Sequence, residues 1–169
     1  MTIKILFCDL EVTNCEILIE DLADCRMFAE QVAAHITVPF AIALSGTLGA
    51  GKTQWSRFFA IALGANPETV SSPTFMLVHE YECRPRVFHL DAYRIGDEDE
   101  MLELGIEEMF DADAVTIVEW ADRFPTLMPR QTLCIQLEVD ESESSRRVHL
   151  LANGERSRIL LSKLIAIWE

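Results

Sequence analysis

The sequence predicts an α/β fold, in which helices flank a mixed sheet with antiparallel edge strands. An apolar run at 40–44 is followed by a glycine-rich turn and by a segment of helical periodicity, the pattern of a strand that leads into a helix. Short apolar runs separated by polar turns follow later and are typical of antiparallel hairpins. The chain has 169 residues, 50% of them hydrophobic, so we expect 1–169 to form a single domain with a sizeable core.

The segments before the glycine-rich turn predict two short strands and a helix. Residues 6–8 have the character of an extra strand, and 16–20 predict a short edge strand. Asp21 is expected to cap a helix that runs to about Ala34. We expect the inward face of this helix to consist of Leu22, Cys25, Ala29 and Val32.

The segment after the turn predicts a second amphipathic helix. Its apolar residues follow a period of 3.6, and we expect them to pack on the sheet: Trp55, Phe58, Phe59, Ala62 and Leu63. Gly64 stands where a glycine commonly ends a helix.

Further strands and helices are predicted in the second half of the chain. Segments 75–81 and 87–91 predict an antiparallel pair, and 115–119, rich in β-branched residues, predicts a buried strand. A second hairpin is predicted from 133–139 and 148–152. The stretch 97–110 is expected to be helical with an interruption at Gly105, whereas 159–168 is either a last strand or a terminal helix.

The glycine-rich turn reads G-T-L-G-A-G-K-T and fits the phosphate-binding pattern G-x-x-x-x-G-K-[ST]. Its residues are Gly46, Thr47, Leu48, Gly49, Ala50, Gly51, Lys52 and Thr53. Glycines let several backbone N–H groups point inward at phosphate oxygens, and the next helix adds the positive end of its dipole. Lys52 is expected to reach the β- and γ-phosphates, and the Thr53 hydroxyl to hold Mg²⁺. A plain surface turn is the alternative, but the flanking strand and helix favour a P-loop NTPase-type domain.

Two predicted strands end in an acidic residue, Asp91 and Glu119. Ligands collect at the carboxyl ends of strands in α/β sheets, and acids there suit the magnesium site of a P-loop protein. Both acids could hold Mg²⁺ directly or through water, or one could orient the attacking water; ordinary solvent-facing acids are the alternative. His89 lies two residues before Asp91, on the same face, where it is a candidate to orient the acid or a structural histidine.

Charge and cysteine content narrow the class of protein. The formal net charge of -14 repels a phosphate backbone, so we expect no strong direct binding to nucleic acid.

No apolar run is long enough to span a bilayer, and the N-terminal apolar stretch is too short, and followed too soon by acidic residues, for a secretory signal. The five cysteines are scattered without a C-x-x-C pair, which argues against a zinc site or a disulfide framework. We therefore expect a cytoplasmic protein without membrane contact.

The motifs taken together resemble one family. In order they are G-T-L-G-A-G-K-T, S-P-T-F, H-L-D-A-Y-R, E-L-G-I-E-E-M-F and V-E-W. Their combination resembles the bacterial TsaE (formerly YjeE) family, the ATPase component of the machinery that makes threonylcarbamoyladenosine in tRNA. The resemblance runs from about Glu20 to the C-terminus. Residues 1–15 have no obvious counterpart in the family and are a candidate N-terminal extension.

This resemblance implies roles for individual residues. The implied magnesium site consists of Thr53, Asp91 and Glu119, and the implied catalytic set consists of Lys52, Thr74, Asp91 and Glu119. Thr74, in the Ser72-Pro73-Thr74 loop, would be a switch-like residue that senses the γ-phosphate or the metal. Trp120 would lie near the nucleotide or a partner surface, with core packing as the alternative. Tyr93 and Arg94 are candidates for shaping the site or the interface.

The resemblance also implies cofactors and partners. It implies ATP or ADP with Mg²⁺, association with the proteins TsaD and TsaB, and ATP hydrolysis that supports repeated turnover of their complex. The chain departs from the family at Cys25, which stands where members usually have a base-contacting threonine. No arginine is obviously placed as a finger, so we expect slow hydrolysis by the isolated protein.

Two other functions remain open from the sequence. The first is a small-molecule or nucleoside kinase, but the acidic stretch after Asp97 shows no Arg-rich lid of the kind many kinases carry. The second is a nucleotide-gated binding module with negligible hydrolysis, whose sequence would look the same.

Overall fold

The computed structural model describes residues 3–9, 11, 13–70, 76–140 and 144–169, which form one eight-stranded sheet and five α-helices. The strands are β1 (Lys4–Cys8), β2 (Asn14–Ile19), β3 (Phe40–Ser45), β4 (Val78–Tyr81), β5 (Arg86–Asp91), β6 (Ala114–Glu119), β7 (Thr132–Val139) and β8 (Arg146–Asn153). The helices are α1 (Leu22–His35), α2 (Lys52–Ala62), α3 (Glu98–Glu103), α4 (Ile106–Asp111) and α5 (Glu155–Trp168). Two short 3₁₀ turns cover Ala92–Arg94 and Ala121–Arg123.

The sheet is mixed, in the order β1-β2-β8-β7-β3-β6-β5-β4. In its centre β3 runs parallel to β6 and β7, and β5 runs parallel to β6. The pairs toward both edges, β1–β2 and β4–β5, are antiparallel. This arrangement confirms the predicted fold class. It also brings the carboxyl ends of β3, β5 and β6 to one edge, where Glu119 pairs in register with Leu44 on one side and with Asp91 on the other.

Alternating side chains of the central strands enter two hydrophobic clusters, one on each face of the sheet. On β3, Phe40, Ile42 and Leu44 join the larger cluster, which also includes buried residues of α1, α2 and α5. Ala43 joins the smaller cluster with residues of α3, α4 and both 3₁₀ turns. The P-loop is therefore attached to a strand and a helix that are both anchored in the larger cluster.

Several predicted local signals are confirmed. The Asp21 side chain accepts hydrogen bonds from the N–H groups of Ala23 and Asp24 and caps α1. Gly64 has a φ of 98° just after α2, and Gly105 has a φ of 77° between α3 and α4. Both values lie in the left-handed region that favours glycine, which is why the helices change direction at these points.

Several details of the prediction are wrong. β2 is an interior strand because β1, the predicted extra strand, pairs with its outer side. Leu22 is 67% exposed, because a side chain in the first turn leans beyond the start of its own helix. Ala62 is also exposed, since the buried stripe of α2 passes through Ser56 and Ala60 instead.

The remaining corrections concern the ends of elements and the last segment. β4 begins at Val78, later than predicted, and Phe75 lies outside the described residues. The open choice for 159–168 is settled as helix α5, whose buried side chains recur at helical spacing: Ser157, Leu160, Leu161, Leu164, Ile165 and Trp168.

Candidate functional site

The glycine-rich loop connects β3 to α2 and depends on glycine at three positions. Gly46, Gly49 and Gly51 have φ values of 131°, 80° and 110°. At Gly46 a Cβ atom would lie 2.2 Å from the carbonyl oxygen of Leu137, so a side chain cannot be accommodated without a shift of the backbone. The loop is thus held close to β7 by a contact that only glycine permits.

The N-terminus of α2 is open toward an anion. Its N-cap is Gly51, which provides no side-chain hydrogen bond, and the first turn contains no acidic residue. The first N–H groups of a helix have no partner within the helix, and they carry the positive end of its dipole. The start of α2 therefore has the features of a phosphate-binding terminus.

Lys52 folds back over the loop. Its Nζ atom donates hydrogen bonds to the carbonyl oxygens of Gly46 at 2.7 Å and Thr47 at 2.9 Å. The same atom lies 3.6 Å from the centre of the Trp120 ring, in a cation–π contact. Burial lowers the pKa of Lys52, while the charges of Glu119, Asp122 and Asp91 act in the opposite direction. The ammonium group is thus held where the loop would surround a phosphate.

Both predicted acids lie beside this loop. The Thr53 hydroxyl donates to Oε2 of Glu119 at 2.8 Å, which joins the start of α2 to the end of β6. Oδ1 of Asp91 accepts a hydrogen bond from the N–H of Tyr93 at 3.0 Å and so caps the following 3₁₀ turn. The three oxygen-bearing side chains of the implied magnesium site thus come together at one edge of the sheet. Oxygen ligands are those that Mg²⁺ prefers, so these residues fit that ion.

His89 contacts Glu119 from the opposite side. Its Nε2 atom lies 2.6 Å from Oε1 of Glu119, and its Nδ1 atom lies 3.2 Å from the hydroxyl of Tyr81. Burial, followed by the charge of Glu119, raises the pKa of Tyr81 to about 12. The candidate role of His89 in orienting an acid is consistent with this geometry, although the acid it contacts is Glu119 and not its neighbour Asp91.

Trp120 has an unusual backbone conformation. It is the non-glycine residue of the described chain with a positive φ, at 61°. Its ring lies against Lys52 and, at 4.9 Å between centroids, against Tyr93. A strained residue next to a site acid is the kind of outlier that functional sites retain. The indole also packs against the smaller hydrophobic cluster, so Trp120 lies both beside the loop and at the edge of that core.

One cavity of about 580 Å³ gathers most of the predicted residues. Its lining includes Leu48, Gly49, Gly51, Lys52, Thr53, Asp91, Tyr93, Arg94, Glu119 and Trp120. Gly46, Thr47 and Ala50 belong to the loop without lining this cavity, and Thr74 lies outside the described residues. Cys25 is buried and not in this lining, and burial raises the pKa of its thiol to about 11.

Sequence reasoning missed four residues of the site. Gln54, Arg57 and Val70 also line the cavity. The first two follow Thr53 on α2 by one and four positions, so helical periodicity could have placed Arg57. Arg146 supports the loop from behind, with its Nε donating to the carbonyl oxygen of Ala50 at 3.0 Å. It lies on β8, 96 residues away along the chain, and no local signal predicts this contact.

A parallel strand that leads through a glycine loop into a helix, with acids at the ends of the neighbouring strands, defines a P-loop NTPase-type fold. The family model described as "Threonylcarbamoyl adenosine biosynthesis protein TsaE" matches residues 19–148, and the chain belongs to this family. The matched range starts after most of the β1–β2 hairpin and ends within β8, before the C-terminus that the motifs suggested.

Individual relatives carry the same name. The chain is 36% identical to the tRNA threonylcarbamoyladenosine biosynthesis protein TsaE of Bacillus subtilis, over 78% of this chain and 84% of that protein. It is 29% identical to the protein of that name from Haemophilus influenzae, over 81% and 86% of the two chains. Among solved structures, YdiB of Bacillus subtilis superposes with a TM-score of 0.75 at 25% identity, covering 90% of this chain and 95% of the other. The chain is thus similar to proteins of threonylcarbamoyladenosine biosynthesis along most of its length.

No helix in the described part of the chain is long and apolar enough to cross a membrane.

Proposed function

We propose that this protein is a Mg²⁺-dependent ATPase that binds and hydrolyses ATP to support turnover of the TsaD–TsaB complex, which makes threonylcarbamoyladenosine in tRNA. The observation that carries the proposal is the grouping of Lys52, Thr53, Asp91 and Glu119 around one cavity at the start of α2. Membership of the TsaE family supports the pathway, and the complex with TsaD and TsaB is the partner that the family resemblance implies.

The phosphates of ATP or ADP would bind at the loop. The backbone N–H groups of residues 47–53 and the uncapped start of α2 would donate to them. The ammonium group of Lys52 now contacts the carbonyl oxygens of Gly46 and Thr47. On nucleotide binding it would move toward the β- and γ-phosphates, or contact both the carbonyl oxygens and the phosphates. The Trp120 ring, already in contact with Lys52, would lie beside the bound nucleotide.

The oxygen atoms of Thr53, Asp91 and Glu119 would hold Mg²⁺. Among the residues that the structure describes, no group of three or more His, Cys, Asp and Glu side chains could hold a metal ion unaided. The ion would therefore need the Thr53 hydroxyl and phosphate or water oxygens in addition to the two carboxylates. Bound there, Mg²⁺ would neutralise the charge that develops on the β- and γ-phosphate oxygens.

The two acids would have different tasks. Both oxygens of Glu119 already have a partner: Oε2 accepts from the Thr53 hydroxyl, and Oε1 lies 2.6 Å from Nε2 of His89. Asp91 receives a hydrogen bond at Oδ1, and Oδ2 is the oxygen that would face a metal-bound or attacking water. Besides its share in holding Mg²⁺, Glu119 would therefore keep Thr53 in place, and Asp91 would contact the metal-bound or attacking water. Thr74 would sense the γ-phosphate, as the family resemblance implies.

The negative charge of the molecule supports a role in which the protein acts on a tRNA-binding partner and does not bind tRNA directly. A net charge of -14 disfavours direct contact with a polyanion, so a partner would hold the tRNA. An ATPase can control when such a complex forms and separates, because the γ-phosphate orders a loop and hydrolysis lets that loop relax. We place this activity in the cytoplasm.

The proposal is tested by measuring Mg²⁺-dependent ATP hydrolysis by the purified protein, alone and with the cognate TsaB–TsaD pair. We expect little turnover alone and a clear rise with the pair, which Lys52→Ala abolishes. Lys163→Ala is the matched control, because Lys163 is exposed on α5, away from the site. Normal ATP binding by Lys52→Ala would refute the P-loop assignment. ATP binding without a rise in hydrolysis would favour a kinase or a nucleotide-gated binding module.

A further inference from the structure

Four side chains form a continuous hydrogen-bonded chain behind the candidate site. It runs from Tyr81 on β4 to His89 on β5, then to Glu119 on β6 and Thr53 on α2. Tyr81, His89 and Glu119 are 4%, 1% and 1% exposed, so the chain is almost wholly removed from water. Buried polar groups that are all satisfied rigidify their surroundings, and any unsatisfied member is costly.

We propose that His89, supported by Tyr81, is a positioning residue that fixes the Glu119 carboxylate and through it the Thr53 hydroxyl for Mg²⁺. This inference rests on the proposed function, since it concerns the same magnesium site. Neither His89 nor Tyr81 lines the cavity, so both act through Glu119 without touching the ligand.

The chain is consistent with one direction of donation. The Thr53 hydroxyl donates to Oε2 of Glu119, so this carboxylate is an acceptor. With the proton of His89 on Nε2, the ring donates to Oε1, and Nδ1 is left to accept from the Tyr81 hydroxyl. Every donor then points toward Glu119, whose two oxygens are held from two sides. The lone pairs of the Thr53 oxygen remain turned away from Glu119 and available to a metal ion.

The position of the chain explains why a histidine is suited to this role. His89 and Glu119 lie on adjacent parallel strands, where Leu90 pairs with Val118 and Asp91 pairs with Glu119. The Glu119 carboxylate contacts Thr53 on one side and the imidazole of His89 on the other. From β5, the two ring nitrogens of His89 reach Glu119 on β6 and Tyr81 on β4. Groups that orient metal ligands in this way are often nearly as important to metal affinity as the ligands themselves.

Two substitutions at the same position separate positioning from folding. In His89→Gln the side-chain amide nitrogen can take the place of Nε2 and donate to Glu119. In His89→Asn the shorter amide can take the place of Nδ1, which keeps a partner for Tyr81 and leaves Oε1 of Glu119 without a donor. His149→Asn is the control, because the His149 side chain is 37% exposed on β8 and interacts with Glu16 and Glu138 instead of the buried chain.

The measurement is the affinity for the non-hydrolysable imido analogue of ATP, by calorimetry, in Mg²⁺ and in EDTA. The gain from Mg²⁺ is the ratio of the affinity in Mg²⁺ to the affinity in EDTA. We expect His89→Asn to lower this gain by about tenfold or more and to leave the affinity in EDTA unchanged. His89→Gln and His149→Asn should keep the wild-type gain, and Tyr81→Phe should lose less than His89→Asn. Thermal unfolding of each variant checks that it is folded.

A second readout needs no nucleotide. Long-range ¹H–¹⁵N spectra of the histidine rings should show His89 as the tautomer with its proton on Nε2, identified by the signal that His89→Gln removes. A proton on Nδ1 would contradict the proposed direction of the chain.

Other outcomes overturn the inference in distinguishable ways. If His89→Asn keeps the full gain from Mg²⁺, or if it loses affinity equally in Mg²⁺ and EDTA, His89 does not position the metal site. If wild-type protein binds the analogue in a Lys52-dependent manner but gains nothing from Mg²⁺, the inference fails while nucleotide binding stands. If wild-type protein does not bind the analogue, the proposed function fails as well.

Discussion

Gly46 illustrates how single residues decide the shape of the loop. Its φ of 131° and its approach to the carbonyl oxygen of Leu137 each exclude a side chain. Gly49 has a φ of 80° but open space where a Cβ would stand. A side chain at Gly49 would therefore meet backbone strain alone, whereas a side chain at Gly46 would meet backbone strain and a steric conflict.

We predict that Gly46→Ala destabilises the protein by about 3 kcal/mol or more, and Gly49→Ala by about 1 kcal/mol. The difference arises because alanine at 46 must displace β7, whereas alanine at 49 only adopts a strained φ. Denaturant unfolding of both variants measures this. Equal losses of stability would show that the contact with Leu137 is not the cause.

The remaining site residues differ in how well their positions follow from local sequence. Lys52 and Thr53 follow from a motif that needs only a strand before it and a helix after it. The positive φ of Trp120 and the support that Arg146 gives to Ala50 do not follow from any local pattern. They depend on neighbours that the fold brings from distant parts of the chain.

At the scale of elements, α1 is defined by its cap. The Asp21 side chain satisfies two N–H groups that have no partner within the helix, at 2.8 Å and 2.9 Å. We predict that Asp21→Ala lowers the free energy of unfolding by about 1 kcal/mol. Glu30→Ala, an exposed change in the same helix, should alter it by less than about 0.5 kcal/mol. Chemical denaturation distinguishes the two, and similar effects would contradict the capping role.

Helix α5 is attached to α1 by its last buried residue. Trp168 is 4% exposed, its Nε1 donates to the Gln31 side chain at 2.7 Å, and its ring meets Phe28 at 6.0 Å. A helix that lies beyond the range matched by the family model thus takes part in the larger core.

We predict that Trp168→Ala destabilises the protein by about 3 kcal/mol or more, because it leaves a cavity and an unpaired amide. Ile167→Ala, at a position 43% exposed, should cost less than about 1 kcal/mol. The two variants are compared by thermal or urea unfolding. If both lose the same stability, α5 is not anchored through Trp168.

At the scale of the whole molecule, acidic residues dominate the surface. The chain carries 28 Asp and Glu against 14 Lys and Arg. We predict no measurable tRNA binding by the protein alone at about 150 mM salt, and tRNA association when the TsaB–TsaD pair is present. Fluorescence anisotropy of labelled tRNA tests this. Tight, salt-sensitive binding by the isolated protein would contradict the charge argument.

The sequence by itself determined the strand–loop–helix unit, the hairpins β4–β5 and β7–β8 and the candidate acids, because each depends on nearby residues of the chain. It did not determine the pairing of β2 with β1 and β8. It did not determine that 159–168 is helical, that β2 lies inside the sheet, or that His89 contacts Glu119 and not Asp91. Those features depend on which strands pair and which faces pack. Such contacts join residues far apart in the chain, such as Thr53 and Glu119, and only the tertiary structure decides them.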